Sequence, residues 1–495
     1  MRTFLRKIKI PVFLLFISTF LMLITGMLNY LNLFNSGWIN LCLFNAIIFS
    51  AMIFFSVFII LFRYLHDYVF TMKPPSTTKG QIKKHLRNIG VFIFALVISL
   101  TTLLGVMLSY YYLRPAPIYT YPSSINLSTW TAIPSGDNLA KHHKSNTEMI
   151  YYNNSFYMVY QNSKWHLQDQ NGELVVAQSP TATKGSWQTI SKITIPNTDV
   201  RDPLLSVINN TIFLYFLPNF LFDPEPEYTY YCSSDNGGIT WTSPEKLFVN
   251  VSYSDGTWGL EDNWCFGRVA PQTNDNLTWY VVASGSKGAH VIEKNAGQEV
   301  LFKTTNGTYW EEISVIYDGY PNSEATLSFL PNGELISTIR VETMSSWDGY
   351  IFGTPHAGTI IATSFNNFQN WSIFPDFQTR LDGARLFTIN NRTFAAGRNH
   401  LGPGLVGNHL GRKRTAIYEV KHDRLIHLFD LPSNGDTAYT GAAVVNGSVY
   451  VCYYTNPIEH DLPWIVGLAF FSESEIRMAK FNANGLISYA NSRGG

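Results

Sequence analysis

The hydrophobic pattern changes character about a quarter of the way along the chain. Three long apolar runs come first, Pro11 to Phe34, Leu41 to Phe62 and Ile89 to Tyr112. Each is long enough to span a hydrocarbon core of roughly 30 Å as a helix, so they predict three transmembrane helices within residues 1–115. Beyond Glu148 the pattern becomes a series of short β-rich stretches joined in pairs: MIYYNNSFYMVY, LLSVINNTIFLYF, VAPQTNDNLTWYVVA, ATLSFLPNGELISTI, RLFTINNRTFAAG and AAVVNGSVYVCYY. Each pair turns on Asn or Asn-Gly, residues that tolerate the positive φ of tight primed turns, and therefore reads as a β-hairpin.

The turns fall at Asn153, Asn209, Asn274, Asn332, Asn390 and Asn446, at steps of 56, 65, 58, 58 and 56 residues. That period is too long for a solenoid of single hairpins and fits one four-stranded blade. The reading is an all-β six-bladed β-propeller over residues 148–495, preceded by the three α-helical transmembrane segments. Residues 116–147 form a linker and lead-in. A pair of β-sandwiches would not require so regular a step.

Charge sharpens this division. Of 35 basic and 35 acidic residues, 11 basic ones and only Asp67 precede Pro115, which leaves the remainder with an excess of ten acidic residues. Such a domain does not suit a nucleic acid, whose phosphates need clustered Lys and Arg. Basic residues precede the first apolar run and fill the loop between the second and third. The positive-inside rule then puts the amino terminus in the cytoplasm and everything after Tyr112 outside, as a multi-pass protein of the cell membrane. The first run lacks a small-residue cleavage site and should stay attached. Nine N-x-S/T tripeptides beyond the membrane segment agree with an exported domain, and Cys232 and Cys265 are candidates to pair there.

The stretch SDNGGITW, Ser234 to Trp241, resembles the Asp box of sialidases, S-x-D-x-G-x-T-W, with Asn236 where that motif has aspartate. KTTNGTYW, SFNNFQNW and the stretch ending at Trp187 are worn copies. In sialidases the box is a turn on the outer rim of a six-bladed propeller. The resemblance implies the fold, whereas a reaction must be argued from site residues.

Those residues begin with SEATLSFLPNGELISTIR, Ser323 to Arg340. Glu324 and Arg340 flank one hairpin and would face the same mouth of a propeller. Sialidases carry a Glu and an Arg at such positions of the fourth blade and a nucleophilic tyrosine two blades later. By that resemblance the tyrosine is Tyr439, in GDTAYTG of the sixth repeat. The anomeric carbon of a sialic acid bears a carboxylate, which repels an anionic nucleophile but admits a neutral phenol, an exception to the two-carboxylate pattern of glycosidases. With a phenol pKa of about 10, Tyr439 needs Glu324 as an adjacent base.

The resemblance also implies an arginine clamp on the substrate carboxylate, suited to the planar guanidinium fork. Candidates are Arg201 in VRDPLL, Arg340, and either Arg398 or Arg414 in the fifth repeat. The first-repeat stretch KHHKSNTEMIYY contains no arginine. Asp202 is the expected general acid, with Glu261 and Asp262 as alternatives, and Arg268 and Asp436 are further candidate substrate ligands.

His142, His143, His356, His400 and His409 show no recognisable metal-ligand spacing, and no phosphate loop, Cys-x-x-Cys or G-x-S-x-G elbow occurs. No metal or cofactor is expected. The sequence thus points to a membrane-anchored, extracytoplasmic retaining glycoside hydrolase that removes a terminal acidic, sialic-acid-like sugar from a glycan or glycoconjugate. The alternatives are a non-catalytic glycan- or protein-binding propeller and a uronic-acid-directed exo-glycosidase or lyase. No feature identifies a protein partner.

Overall fold

The computed structural model describes residues 120–494 except 137–140, 167–168, 220–227, 273–274, 286, 288–296, 321, 342–357, 402–411, 460–463 and 470–472. The three apolar runs read as membrane helices lie outside the described residues. Among the described residues no helix is long and apolar enough to cross a membrane. The compact unit Ile118–Gly495 is an all-β propeller built from six sheets, antiparallel apart from one parallel pair at the outer edge of the third.

Strand β1 (Ser128–Ile133), within the stretch read as linker and lead-in, belongs to the last blade. Blade 1 follows it, with β2 (His143–Tyr152), β3 (Ser155–Ser163), β4 (Glu173–Ser179) and β5 (Gln188–Ile193). Blade 2 contains β6 (Asp199–Ile208), β7 (Thr211–Asn219), β8 (Tyr230–Ser234) and β9 (Glu245–Lys246). Blade 3 is the largest. Its outer edge carries the hairpin β10 (Val249–Ser252) and β11 (Trp258–Glu261), and its inner edge is split into β12 (Trp264–Phe266) and β13 (Ala270–Gln272). Between these edges run β14 (Asp275–Gly285), β15 (Gln298–Thr304) and β16 (Trp310–Tyr317). Blade 4 has β17 (Asn322–Phe329), β18 (Leu335–Val341), β19 (Gly358–Ser364) and β20 (Ser372–Asp376). Blade 5 has β21 (Asp382–Ile389), β22 (Arg392–Leu401), β23 (Arg412–Val420) and β24 (Leu425–Asp430). Blade 6 has β25 (Thr437–Val445), β26 (Ser448–Thr455) and β27 (Glu475–Asn482), and β1 closes it by pairing with β27 from Ser128 opposite Lys480 onward. Two short helices, α1 (Trp464–Ala469) and α2 (Ala483–Ser492), flank β27.

The expected hairpins are the two inner strands of each blade. Asn153, Asn209, Asn390 and Asn446 adopt positive φ between 45° and 54° at their turns, as a primed turn requires. The third turn, at Asn274, lies outside the described residues. Apolar faces on both sides of each sheet then meet the neighbouring blades. Six buried clusters result, one at each blade junction. The junction between blades 2 and 3 is typical, with Tyr215 against Phe266 and Trp310.

The Asp-box turns join the third and fourth strands of blades 1 to 4. In the second, Asn236 stands in for the aspartate and holds the same turn. Its Oδ1 accepts the Thr240 amide at 3.0 Å, and the Gly238 amide donates to Ser234 Oγ at 2.9 Å. Trp241 Nε1 donates to Ser191 Oγ at 2.8 Å, tying blade 2 to blade 1. Cys232 and Cys265, candidates to pair, are not joined in a disulfide. Cys232 is buried in β8 and Cys265 stands on the inner edge of blade 3, so the fold keeps them in separate sheets.

Candidate functional site

Five of the six inner strands share one irregularity. Register is lost between Ser145 and Glu148 in β2, Arg201 and Leu204 in β6, Ser323 and Thr326 in β17, Asp382 and Arg385 in β21, and Ala438 and Gly441 in β25. Each slip is a β-bulge, which bends a strand and re-aims a side chain. Each bulge holds a residue at a positive φ near 50°, namely Asn146, Asp202, Glu324, Gly383 and Tyr439, at 50°, 49°, 52°, 54° and 45°, and in blade 6 Ala438 beside Tyr439 is positive as well, at 95°. Left-handed backbone costs an ordinary L-residue on the order of 1–2 kcal/mol. Four non-glycine residues at equivalent places are therefore a concentration of strain of the kind that marks functional sites. Three of the four are the residues expected to do chemistry.

Tyr439 and Glu324 meet directly. The Tyr439 hydroxyl donates a short hydrogen bond to Glu324 Oε1. Arg340 Nη1 reaches the same oxygen at 2.6 Å, and the Gly383 amide donates to Oε2 at 2.7 Å. Arg340 also donates to Ser323 Oγ through Nη2 at 2.7 Å. The glycine at the blade 5 bulge is required: a Cβ there would lie 2.9 Å from Tyr439 Cδ2. Burial, together with the Glu324 and Asp202 carboxylates, raises the Tyr439 phenol well above its ordinary value, against the opposing pull of Arg340 and Arg398. The resting phenol is neutral.

Arg201 and Asp202 approach from blade 2. Arg201 forms an ion pair with the buried Asp199, with Nε 3.1 Å from Oδ2, and its Nη2 donates to the His166 carbonyl at 3.2 Å. Burial raises the Asp202 carboxyl; Arg201 opposes this and Glu324 adds to it. A carboxyl so placed keeps its proton to higher pH, as a general acid must. Glu261 and Asp262, the alternative acids, lie elsewhere. Glu261 accepts from Tyr253 at the outer edge of blade 3, and Asp262 pairs with Lys246 at 2.8 Å.

The remaining arginines separate by burial. Arg201 and Arg340 have side chains 15 % and 14 % exposed. Arg398, at 6 %, lies with its guanidinium 5.7 Å from the centre of the Tyr439 ring. It donates to the Thr437 carbonyl at 2.7 Å, to Tyr454 Oη at 3.1 Å and to Asp436 Oδ1 at 3.3 Å, so it supports the tyrosine from behind. Arg414, the other fifth-repeat candidate, is buried and donates to the Lys413 carbonyl. Asp436 is fully buried beneath Arg398. Burial alone would raise its carboxyl, but His166, Arg398 and His143 outweigh that and hold it below the usual carboxylate range.

Arg268, expected to bind substrate, is committed to the protein. Its Nε pairs with Glu148 of blade 1, Nη1 donates to the Ala384 carbonyl of blade 5 at 2.8 Å, and Nη2 donates to the Thr440 carbonyl of blade 6. Ala384 and Thr440 each follow a bulge residue. Arg268 therefore pins the inner strands of three blades from a fourth, in blade 6 through the residue that follows Tyr439.

Asn146, Gly383 and His166 were not singled out from sequence. For the first two a signal existed. The bulge residue stands seven positions before the hairpin turn in blades 1, 2, 5 and 6 and eight before it in blade 4. Asn146 thus occupies in blade 1 the place that Asp202, Glu324 and Tyr439 occupy in theirs, and its Nδ2 donates to Gln161 Oε1 at 3.3 Å. No spacing could have brought His166 to Asp436, since only the ring of blades makes them neighbours.

No family model matches the chain, and no curated protein matches its sequence. Solved structures do match. A protein of unknown function from Dyadobacter fermentans DSM 18053 aligns at 15 % identity over 72 % of this chain and 99 % of its own, with a TM-score of 0.52. Trypanosoma rangeli sialidase in complex with 2,3-difluorosialic acid, a covalent intermediate, aligns at 12 % identity over 74 % of this chain and 60 % of its own, with a TM-score of 0.51. Phage phi92 endosialidase aligns at 11 % over 72 % and 69 %, with a TM-score of 0.50. At these identities the likeness establishes a sialidase-like propeller fold.

Proposed function

We propose that the chain is a retaining exo-glycosidase acting on a terminal acidic sugar of the sialic-acid type. The observation that carries this reading is the hydrogen bond from Tyr439 to Glu324, with Arg340 on the same carboxylate, at strained bulges of blades 6 and 4. Tyr439 attacks the anomeric carbon as Glu324 takes its proton, and Asp202 protonates the leaving oxygen. Water then releases the sugar in a second displacement. Arg201 and Arg340, the less buried arginines, receive the substrate carboxylate, while Arg398 holds the tyrosine ring. A neutral phenol avoids the repulsion that a carboxylate nucleophile would meet beside that group.

The test is release of the aryl group from aryl glycosides of sialic and uronic acids by the full-length protein and its Tyr439→Phe variant. Turnover on a sialoside that falls by a factor of ~10³ or more without the hydroxyl, with an unchanged melting temperature, is the expected result. Equal turnover by the two proteins overturns the mechanism, and a product absorbing in the ultraviolet identifies a lyase.

One observation favours a second reading, a glycan-binding propeller without turnover. Blade 1 presents Asn146 at its bulge, and Arg201 and Arg340 are already paired with Asp199 and Glu324. Sialoside binding by calorimetry with no aryl release would select it. We also propose that the propeller faces away from the cytoplasm, on the basic-residue asymmetry of the first 115 residues. External protease that spares the propeller in intact cells and digests it only after lysis would refute this orientation.

A further inference from the structure

A second group of side chains lies beside the site, where blade 6 meets blade 1. His143 stands on β2, His166 in the loop after β3, and Asp436 just ahead of β25. His143 Nε2, His166 Nδ1 and Asp436 Oδ2 all lie within 4.8 Å of one another. The Asp436 oxygen is 2.8 Å from His166 Nδ1 and 3.9 Å from His143 Nε2. We propose that these three atoms form a binding site for a divalent transition metal of the zinc type.

The geometry is close to what the ion needs. Zinc bound tetrahedrally at about 2.0–2.1 Å sets its ligand atoms about 3.4 Å apart, between the two distances observed here, so shifts of less than about an ångström would close the site. Two imidazoles and one carboxylate form a donor set suited to zinc and leave a fourth position for water. A simple Asp–His ion pair would need one histidine, whereas here two converge on one carboxylate oxygen from different parts of blade 1.

The outer shell is also in place. Asp436 Oδ1 accepts from Tyr454 Oη at 2.9 Å, Trp464 Nε1 at 3.0 Å and Arg398 Nη2 at 3.3 Å. These donors fix the carboxylate with its other oxygen turned to the histidines, as outer-shell partners orient a metal ligand. His143 and Asp436 are fully buried, and His166, 15 % exposed, provides the approach. Bound metal would fasten the first blade to the last. Through Asp436 it would also fix Arg398 behind Tyr439. The site stands independently of the reaction proposed above, because metal is measured without substrate.

The experiment uses the full-length protein stripped of metal with a chelator, titrated with Co²⁺ while its visible absorption is followed, and with Zn²⁺ by calorimetry and thermal melting. The expected result is one equivalent of Co²⁺ with the intense bands of a tetrahedral site, displaced by Zn²⁺, and a melting temperature raised by saturating Zn²⁺. His166→Ala should weaken binding by a factor of ~100 or more, and so should Asp436→Asn, which preserves side-chain shape in case the first variant fails to fold. Absence of the cobalt bands, or Zn²⁺ affinity unchanged in a folded variant, overturns the proposal.

Discussion

Replacing Arg268 with Met tests whether this residue is a substrate ligand or the pin that aligns the inner strands. Arg268→Met keeps much of the side-chain volume but removes the partner of Glu148, which is fully buried. It also leaves the Ala384 and Thr440 carbonyls without their guanidinium donors. Breaking a buried ion pair from one side costs about 3–5 kcal/mol, and a buried acceptor left unpaired costs about 1–3 kcal/mol. These do not simply add, and Arg385 Nη1, 3.8 Å from Glu148 Oε2, retains part of the compensation. The expected loss is therefore about 3–5 kcal/mol, or roughly 4–6 °C in melting temperature for a domain of this size. Circular dichroism melts of the full-length protein would measure it. The double variant Arg268→Met with Glu148→Gln should recover about half or more of the loss, because no uncompensated carboxylate remains buried. An unchanged melting temperature with a raised KM would refute this reasoning and return Arg268 to the substrate.

Gly383→Ala should impair turnover far more than stability, since the new methyl group would press on the Tyr439 ring; a kcat within twofold of the parent would show that the ring can yield. Asp202 has its carboxyl raised by burial, so activity that needs its proton should fall as pH rises through that elevated value, and Asp202→Asn should abolish this alkaline limb in the pH–rate profile. Glu299, buried in β15 with Ser284 Oγ donating to it at 2.7 Å, is pushed up to about 8 by burial. Its folded form retains a proton that the unfolded chain releases near 4.5, so stability is full below that pH and is lost as pH rises to about 8. At about 1.4 kcal/mol per unit the loss is roughly 4–5 kcal/mol at most. Denaturant melts at pH 5.5 and 8.5 should show this slope in the parent and a flatter one in Glu299→Gln, and equal slopes would remove Glu299 as its source.

The chain's local chemistry made much of the fold legible. β-rich runs and Asn or Asn-Gly turns act over a few residues, so the six hairpins could be read directly, with the turns of all but the third, including Asn446-Gly447 that follows Tyr439 along the hairpin. The Asp box at Ser234–Trp241 is equally local, and its hydrogen bonds form with Asn236 in the aspartate's place. Glu324 and Arg340 could be paired because one hairpin joins them. What sequence could not decide was every choice that depends on the ring of blades. Arg398 and Arg414 stand near one another on adjacent strands, yet only Arg398 comes beneath the Tyr439 ring. Arg268 resembled a site arginine, but closure of the ring carried it onto Glu148 and the carbonyls of blades 5 and 6. His166 and Asp436, 270 positions apart, became neighbours only because β1 returned to complete the last blade. Turn and strand preferences are set by nearby atoms, whereas the partner of a buried charge is set by whichever blade the closed ring brings against it.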